Sequence, residues 1–385
     1  MKILHLSPLD PIPVYSGLRE RIYQTSKYLG SNHEVHLVYP YEPSRANSET
    51  GRIPPEQPFE SIQLKHPALN WLDQRVPHYS PLRGLYKTHP WLYPSLRNHI
   101  AKFEPDVILV EMPFLMPIAL AACHSCEIPI ILTEHNIQFK VTERLSIPGT
   151  KPLKVFESFV ANQADAVATV SETDQQILSE NVSSTNLVVA PNGVDTDQYH
   201  PNKAKTDLKE EYGLKSPIFI YHGSLGNAQN SEALEVLIDQ IFPLLRNEFP
   251  DAHLLLIGAN PPEVDQPGVV ATGIVDNLPE HIAIADVATV PLLSGSGTKL
   301  KILEYMASGV PVVTTSIGAE GLPLEDGKHA AIEDDWDAFV QQVTNIVRDE
   351  EKSLSMSCEG RKLVEEKFSW QATLEKYNEI IESLE

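Results

Sequence analysis

The chain has 385 residues and a formal net charge of −22, with 52 Asp and Glu against 30 Lys and Arg. This length favours two domains over one, and an apolar fraction of 42% excludes a disordered or fibrous chain. The acidic balance argues against nucleic acid as a partner, because a phosphate backbone requires clustered Lys and Arg.

The sequence predicts no membrane span. A transmembrane helix requires about eighteen consecutive apolar residues, and no such run is present. The opening residues 1–8 are typical of a short strand followed by a turn, not of a signal peptide. We therefore expect a cytoplasmic protein.

The first forty residues predict a β–loop–α–β unit. A strand over Ile3–Leu6 leads through a Pro-rich loop to Gly17, and a helix over 18–29 precedes a strand over 34–39. Ligands bind at the carboxyl ends of strands in such units, so Gly17 is a candidate for close approach to a ligand. An ordinary turn residue is an equally good interpretation of a lone glycine.

Residues 62–103 form a basic, aromatic segment in an acidic chain, with Asp73 as their one acidic residue. The cations and aromatic residues are Lys65, Trp71, Arg75, Tyr79, Arg83, Tyr86, Lys87, Trp91, Tyr93, Arg97 and Lys102. We predict a helix from about Leu82 to Phe103 and contact of the segment with the acceptor or with an anionic membrane surface. A helical surface with scattered cations fits the composition equally well.

Further strands and helices then alternate up to residue 190. A buried strand over 107–110 ends at Glu111, a helix covers 115–123, and a strand over 128–133 ends at Glu134-His135-Asn136. His135 follows a buried strand and is a candidate ligand contact, although it also suits a helix cap formed by local hydrogen bonds. We predict further helices over 151–163 and, capped by Ser171, over 172–180, with strands over 165–170 and 187–190. A hinge is predicted at 191–195.

The three cysteines do not predict a disulfide scaffold. Cys123 and Cys126 have the C-x-x-C spacing of metal and redox sites, but no second pair exists and Cys358 is distant in sequence. A closed zinc site therefore lacks ligands. We favour two packed, reduced thiols, as expected in a cytosolic compartment.

The alternation restarts after residue 217. Strands are predicted over 218–222, 253–257, 269–272 and 287–291, and a helix over about 231–247. The first of these strands ends at Gly223-Ser224. Strands and helices alternating in two blocks are typical of two doubly wound α/β domains.

The stretch 294–304, SGSGTKLKILE, carries the clearest functional signal. Glycines permit a tight turn, and Thr298 is a natural N-cap for a helix beginning at Lys299. Lys299 and Lys301 lie at the positive end of this predicted helix, which indicates an external anion such as a phosphate. Glu304 lies on the same side as Lys301, where it can pair with that lysine or accept from a ligand hydroxyl. A solvated loop with an ordinary surface pair is the alternative.

The end of this helix and the end of the chain are also marked by pattern. Gly309 suits the C′ position, and a β-branched strand is predicted over 310–315. The last helix carries apolar residues on one face, at Trp370, Leu374, Tyr377, Ile381 and Leu384. Because this face is too apolar for water, we predict that the helix crosses back to the first domain.

Several of these motifs, in this order along the chain, resemble the retaining GT-B glycosyltransferases of family four. They are Gly17, Glu134-His135-Asn136, Pro191-Asn192-Gly193-Val194-Asp195, Gly223-Ser224-Leu225, residues 297–304, residues 309–313 and Gly318-Ala319-Glu320-Gly321-Leu322. The resemblance spans nearly the whole chain. It implies two Rossmann-like domains facing a cleft, an acceptor-side domain over 1–192 and a nucleotide-sugar domain over 193–367, with 368–385 as the returning helix.

The resemblance also implies a site and a chemistry. The donor-binding positions are Gly17, Gly223, Ser224, Gly297, Thr298, Lys299, Lys301, Glu304, Gly318, Ala319, Glu320 and Gly321. Catalytic roles fall to His135, which contacts the transferred sugar, and to Lys299 and Lys301. Glu304 holds the ribose hydroxyls, no metal or other cofactor is required, and the acceptor is a glycan, a lipid-linked sugar or a small molecule.

The sequence departs from the common family pattern at three positions. Ser296 stands where many members have Glu, and Ser224 and Gln229 stand where members often have Arg and Lys. The departures resemble a sub-branch whose Gly-rich loop carries a basic residue after its Thr, so that Lys299 and Lys301 supply the missing charge. We interpret Ser296 as an adaptation of the loop, which leaves the sugar contacts open.

The predicted function is transfer of a sugar from a nucleotide-diphosphate sugar, as in polysaccharide biosynthesis, by a protein that is cytoplasmic or peripheral at the inner membrane face. A nucleotide-sugar epimerase of the same architecture and a silent carbohydrate- or nucleotide-binding protein are the alternatives. A dinucleotide oxidoreductase fits poorly, since no G-x-G-x-x-G follows the first strand.

Overall fold

The computed structural model describes residues 1–14, 17–40, 54, 57–64, 92–124, 126–144, 148–182, 186–295 and 298–384. The chain forms two compact units, one of Met1–Pro191 with Leu374–Glu385 and one of Asn192–Thr373. The first division falls one residue before the expected boundary at 192, and the second falls six residues after the expected one at 367. No helix in the described ranges is both long and apolar enough to cross a bilayer.

The first unit is built on a parallel sheet that has seven strands within the described residues. The strand order is β3-β2-β1-β4-β5-β6-β7. The strands are β1 Lys2–Leu6, β2 Glu34–Pro40, β3 Glu60–Leu64, β4 Val107–Glu111, β5 Ile130–Glu134, β6 Ala166–Thr169 and β7 Asn186–Val189. The central strands β1, β4 and β5 are β-branched and Leu-rich and lie buried along nearly their whole length, as expected for a parallel sheet covered on both faces.

Helices connect these strands and cover the sheet. They are α1 Gly17–Gly30, α2 Tyr93–Phe103, α3 Met116–Cys123, α4 Gln138–Arg144, α5 Thr150–Ala161 and α6 Glu172–Ser179. The predicted cap at Ser171 is confirmed, since its hydroxyl accepts from the Asp174 amide. Of the basic segment 62–103, residues 65–91 lie outside the described residues, and α2 begins at Tyr93. β3 was not predicted, because five mostly polar residues give little strand signal.

The second unit repeats the arrangement with a parallel sheet that has six strands in the described ranges, in the order β10-β9-β8-β11-β12-β13. The strands are β8 Ile218–His222, β9 His253–Ile257, β10 Val269–Gly273, β11 Val287–Val290, β12 Val312–Thr314 and β13 Ala331–Ile332. In both sheets the direction of winding reverses beside the first strand of the unit, between β1 and β4 and between β8 and β11. Such switch points are where open α/β sheets bind ligands.

The helices of the second unit surround this sheet. They are α7 Asp207–Glu211, α8 Ala228–Val236, α9 Phe242–Glu248, α10 Leu278–Ile282, α11 Leu300–Ala307, α12 Ser316–Ala319, α13 Trp336–Arg348 and α14 Glu350–Lys367. A π-helical turn, Leu237–Ile241, joins α8 to α9. The helix predicted over 231–247 therefore begins earlier, at Ala228.

The last helix, α15 Trp370–Ser383, returns to the first domain as predicted. Tyr377 is fully buried, and its hydroxyl accepts a 3.0 Å hydrogen bond from Arg21 of α1. The same hydroxyl lies 3.2 Å from the Thr133 hydroxyl of β5. Arg21 in turn donates to the Ala190 carbonyl at 2.7 Å. The helix is thus anchored to the first unit by polar bonds as well as by its apolar face.

Candidate active site

The predicted donor-binding residues of the second unit lie at one edge of its sheet. Residues 223–224 follow β8, residues 298–301 lie between β11 and β12, and residues 318–321 follow β12. Because β8, β11 and β12 are neighbours and parallel, their carboxyl ends bring these three loops together at the switch point. Gly297 and Ser296 lie outside the described residues.

Two glycines at this edge pack backbone against backbone. A Cβ atom built on Gly258 would lie 1.7 Å from the Gly223 carbonyl oxygen, and Gly258 has φ +139°. Gly223 has φ +148° and donates its amide to the Ile257 carbonyl at 2.9 Å. A side chain at Gly258 would therefore push the Gly223 loop away from the sheet.

The start of α11 differs from its prediction. The helix begins at Leu300, and Lys299, not Thr298, occupies the cap position with φ −84° and ψ 92° and no side-chain cap bond. Because the backbone stays extended through Lys299, the helix starts one residue later than predicted and Thr298 lies outside the N-cap position. Both residues are buried, at 9% and 8% exposure. Gly309 has φ +70° just past the C-cap, which confirms its predicted C′ position.

Lys299 lies against the glycine loop that precedes it. A Cβ atom built on Gly295 would be 3.3 Å from the Lys299 ammonium and 2.7 Å from the Gln229 side-chain oxygen. Gly295 has φ +133°, a backbone conformation that favours glycine. A glycine at this position therefore lets the ammonium approach the backbone closely.

Lys301 points back toward the end of β8. Its ammonium donates to Asn230 Oδ1 at 2.8 Å and lies 3.9 Å from the centre of the Tyr221 ring. A Cβ atom on Gly223 would be 3.2 Å from this ammonium. Burial lowers the pKa of Lys301 to about 7, with the charge of Lys299 acting in the same direction and Glu304 opposing it. The charge of this lysine is thus sensitive to an arriving anion.

Glu304 has a different main partner from the one predicted. His222, the last residue of β8, places Nε2 3.0 Å from Oε2 of Glu304. Burial acts to raise the pKa of Glu304, but His222, the Tyr199 hydroxyl and Lys301 outweigh it and keep the pKa below its usual value. Glu304 is therefore an ionised acceptor, and its side chain keeps 19% exposure, enough to meet a ligand.

The loop over Gly318-Ala319-Glu320-Gly321 begins in the short helix α12. The Thr315 hydroxyl caps this helix by accepting from the Gly318 amide at 3.1 Å. A Cβ atom on Gly318 would lie 1.9 Å from the Thr314 hydroxyl, and Gly321 has φ +80°. Two of the four residues are thus places where a side chain is strained or excluded.

The first unit has its own polar cluster at the corresponding edge. Glu111, at the end of β4, is fully buried and contacts His135 Nε2 at 2.5 Å and His5 Nε2 at 2.7 Å. His5 also contacts the Ser26 hydroxyl at 2.8 Å. Burial acts to raise the pKa of Glu111, but His135 and then His5 outweigh it and hold the pKa far below its usual range.

This cluster fixes His135 where the sequence placed it, just past β5. The side chain of His135 is 9% exposed. Its main bond is to Glu111 and not to the following helix, so the helix-capping alternative does not describe it. Gly17 begins α1 and is exposed. Both residues follow strands, β5 and β1, that flank β4 at the switch point of this sheet.

Sequence reasoning missed five residues of these sites: His5, Glu111, His222, Tyr221 and Asn230. Four of them lie within or end a buried strand, and a polar side chain in such a strand is the signal that was available. Asn230 lies in a helix and not in a buried strand, so the sequence carried no such signal for it. Its partners, Tyr221, Ser224 and Lys301, are brought together only by the fold.

The cysteines agree only in part with the expectation of two packed thiols. Cys123 is buried, but Cys126 is exposed, because the chain leaves the end of α3 at this point. Both are free thiols, and burial raises the pKa of Cys123 to about 12. Over the described part of the chain, no group of three or more His, Cys, Asp and Glu side chains is arranged to hold a metal ion.

Two parallel sheets with matching switch points, one of them edged by glycine loops and lysines, define an α/β protein of the GT-B class. Residues 15–198 match the family model for Glycosyltransferase Family 4, and residues 216–349 match that for Glycosyl transferases group 1. The chain belongs to the family 4 glycosyltransferases.

Individual proteins support the same placement. A GDP-mannose-dependent phosphatidylinositol monomannoside mannosyltransferase of Mycolicibacterium smegmatis is 30% identical over 234 residues, 55% of this chain and 60% of the relative. The match thus spans about three fifths of that relative's length. Sucrose-phosphate synthase of Thermosynechococcus elongatus has the same fold, with a TM-score of 0.77 at 17% identity over 100% of this chain and 98% of that one. HepE of Anabaena, solved with UDP-glucose, has a TM-score of 0.70 at 16% identity over 100% of both chains.

Proposed function

We propose that the protein transfers a hexose from a nucleotide-diphosphate sugar to a glycan, lipid-linked or small-molecule acceptor, with retention of anomeric configuration. The observation that carries the proposal is the placement of Lys299 and Lys301. Their ammonium groups lie against the Gly295 and Gly223 backbones, at the switch-point edge of the second sheet. Glycine loops and cations at such an edge suit a diphosphate.

The two lysines act on the leaving group. When the bond between the sugar C1 and the phosphate oxygen breaks, the nucleoside diphosphate gains negative charge. Preorganised cations near that oxygen stabilise the transition state, and one such group is worth about 3 kcal/mol. With Lys299 and Lys301 in this place, the proposed reaction requires no divalent cation.

Retention follows from the face on which the acceptor attacks. The new bond from the acceptor oxygen to C1 forms on the face that the diphosphate leaves, and the acceptor proton passes to the departing phosphate oxygen. Positive charge on the sugar and negative charge on the diphosphate therefore develop close together on one face, where the lysines can stabilise the departing anion.

The remaining residues bind the donor. Glu304, ionised and partly exposed, accepts from the ribose hydroxyls, as acidic residues do in other nucleotide sites. The loop of Gly318, Ala319, Glu320 and Gly321 binds the donor through its backbone amides, together with Gly223, Ser224, Gly297 and Thr298. In the first unit, Gly17 permits close approach of its loop, and His135, oriented by Glu111, contacts the transferred sugar.

The relatives suggest classes of donor and acceptor to test. One is named for GDP-mannose and a phosphatidylinositol mannoside, and another was solved with UDP-glucose. We propose a UDP- or GDP-linked hexose as donor and a lipid-linked sugar or glycan as acceptor. The segment 62–103 would then contact the acceptor or an anionic membrane surface, and the protein would be cytoplasmic or peripheral at the inner membrane face.

The test is a panel of UDP- and GDP-sugars with lipid-linked, glycan and small-molecule acceptors. Release of the nucleoside diphosphate and formation of the glycoside are measured together, and the product's anomeric configuration is read by NMR. Acceptor-dependent release with retention supports the proposal. Conversion of a donor to its epimer, or tight nucleotide binding without turnover of any donor, would replace it with one of the alternatives.

A further inference from the structure

Asn230, in the first turn of α8, joins three parts of the candidate donor site. Its Oδ1 accepts from the Tyr221 hydroxyl at 2.7 Å and from the Lys301 ammonium at 2.8 Å. Its Nδ2 donates to the Ser224 carbonyl at 2.7 Å. One side chain thus connects the end of β8, the loop that follows it and the start of α11.

The amide can be oriented in one way only. An ammonium has no acceptor, and a carbonyl has no donor, so the oxygen must face Lys301 and the nitrogen must face Ser224. Burial keeps the pKa of Tyr221 above its usual value, so its hydroxyl remains a donor at neutral pH. All three bonds are satisfied together, and reversing the amide would break the bonds to Lys301 and to Ser224.

Tyr221 adds a second constraint on the same ammonium. Its ring centre lies 3.9 Å from the Lys301 nitrogen, within the range of a cation–π contact. Tyr221 is fully buried, so the ring cannot turn away. Both contacts, the amide oxygen and the ring face, favour a charged lysine over a neutral one.

We propose that Asn230 and Tyr221 are positioning residues that hold the Lys301 ammonium, in its charged form, against the Gly223 backbone for the donor diphosphate. This inference rests on the proposed function of the site. It explains how the chain works without the Arg and Lys that Ser224 and Gln229 replace, since a lysine from α11 reaches the same loop. Neither residue is proposed to touch the reacting atoms.

The electrostatic surroundings of Lys301 make this role measurable. From its own segment it faces Glu304, which favours the charge, and Lys299, which disfavours it. From β8 it faces Tyr221, while the neighbouring His222 is paired with Glu304. From α8 it faces the neutral amide of Asn230. If Lys301 acts as a cation, kcat/KM falls as pH rises through its pKa in the free enzyme.

The experiment compares pH profiles of kcat/KM for the full chain and three variants. Asn230→Ala removes the acceptor, so activity at pH 7 should fall about tenfold, the loss expected for a hydrogen bond to a charged group. Its basic limb should move to lower pH by about one unit. Asn230→Asp places a carboxylate against the ammonium and should move the basic limb to higher pH by a similar amount. Exposed Asn247→Ala on α9 is the matched control and should leave the profile unchanged.

A fourth variant and a second readout guard against misfolding. Tyr221→Phe keeps the ring and loses the hydroxyl, so its basic limb should stay within about half a unit of the wild type, because the cation–π contact is preserved. Binding of UDP and GDP is measured by calorimetry from pH 6 to 9. In every folded variant, the pH at which binding weakens should shift in the same direction as the basic limb of kcat/KM. Opposite shifts for the Ala and Asp variants support a positioning role, since loss of packing alone would move both the same way.

The failure of this inference is distinguishable from that of the proposed function. A wild-type protein that neither turns over a donor nor binds UDP or GDP would overturn the function. An active wild type whose profile is matched by both Asn230 variants would overturn the positioning role alone.

Discussion

Glu111 holds His135 through a 2.5 Å contact between Oε2 and Nε2, while its other oxygen lies 2.7 Å from His5. One fully buried carboxylate therefore fixes two imidazole rings that come from different strands. Each ring nitrogen that faces Glu111 must carry a proton, since an ionised carboxylate only accepts. Glu111 thus fixes the orientation of the His135 ring and places a proton on its Nε2.

Glu111→Gln should destabilise the protein by about 3 kcal/mol at pH 7, in the range found when one partner of a buried charged pair is removed. The pKa of Glu111 is lowered in the folded state, so its contribution is present above the usual Glu pKa near 4.5 and is lost as pH falls below it. Urea unfolding at pH 7 and pH 4 measures both effects. The exposed Glu127→Gln serves as control. Equal stability of wild type and Glu111→Gln at pH 7 would contradict this account.

Glu134 should behave in the opposite way. It is 1% exposed, and neither carboxylate oxygen has a hydrogen-bond partner among the residues that the structure describes. Burial, followed by the charges of Glu157 and Asp174, raises its pKa well above 4.5. A raised folded pKa gives stability below pH 4.5 that is lost as pH rises toward the folded pKa.

Glu134→Gln removes this titration while keeping the shape of the side chain. Relative to wild type, the variant should gain stability above pH 4.5 by up to about 1.4 kcal/mol per pH unit, until the folded pKa is reached. Thermal unfolding from pH 4 to 9 is the measurement, with exposed Glu180→Gln as control. A stability difference that does not change with pH would contradict this account, because it would show that folding does not raise the pKa of Glu134.

The glycine pair at the donor edge gives a steric prediction. Gly258→Ala would bring a Cβ atom to 1.7 Å from the Gly223 carbonyl oxygen. Gly273→Ala is a matched control, because Gly273 also has positive φ, at +74°, but no atom of the described residues lies within 4 Å of its added Cβ. Both variants place a side chain on backbone of positive φ, which lowers the free energy of unfolding by about 1 kcal/mol. Gly258→Ala alone should lower it by about 1–3 kcal/mol more, because of the steric clash.

Gly258→Ala should also raise the KM for the donor, because Gly223 must move. Chemical unfolding and donor kinetics, run side by side on the two variants, decide the matter. Equal unfolding midpoints and equal KM for the two would mean that the contact between Gly258 and Gly223 is not required.

The sequence predicted what is local and missed what is long-range. Runs such as Ile3–Leu6 and Ile218–His222 specify buried strands by composition, and the Ser171 cap depends on an amide three residues away. The Thr298 cap failed because the loop stays extended through Lys299, a conformation set by surrounding segments. The edge strand Glu60–Leu64 was missed because its residues are largely polar.

Partners in the candidate sites could not be predicted for the same reason. Glu304 has a lysine three residues away in sequence, but its main partner, His222, is more than eighty residues distant. Glu111 is likewise joined to His5 from another strand. The carboxyl ends of neighbouring parallel strands create these pairs, so they follow from sheet order and not from spacing along the chain.

The measurement that tests the central claim most directly is steady-state transfer in the presence of EDTA. It compares wild type with Lys299→Ala, Lys301→Ala, their double variant and Glu304→Gln, with exposed Lys362→Ala as control. If the lysines stabilise the departing diphosphate, each Lys→Ala change lowers kcat by about tenfold to a thousandfold. Glu304→Gln raises KM and spares kcat, because a ribose contact is made equally before and during the reaction. The account predicts full wild-type activity in EDTA. Wild-type kcat in the double lysine variant, or an absolute requirement for a divalent cation, would contradict it.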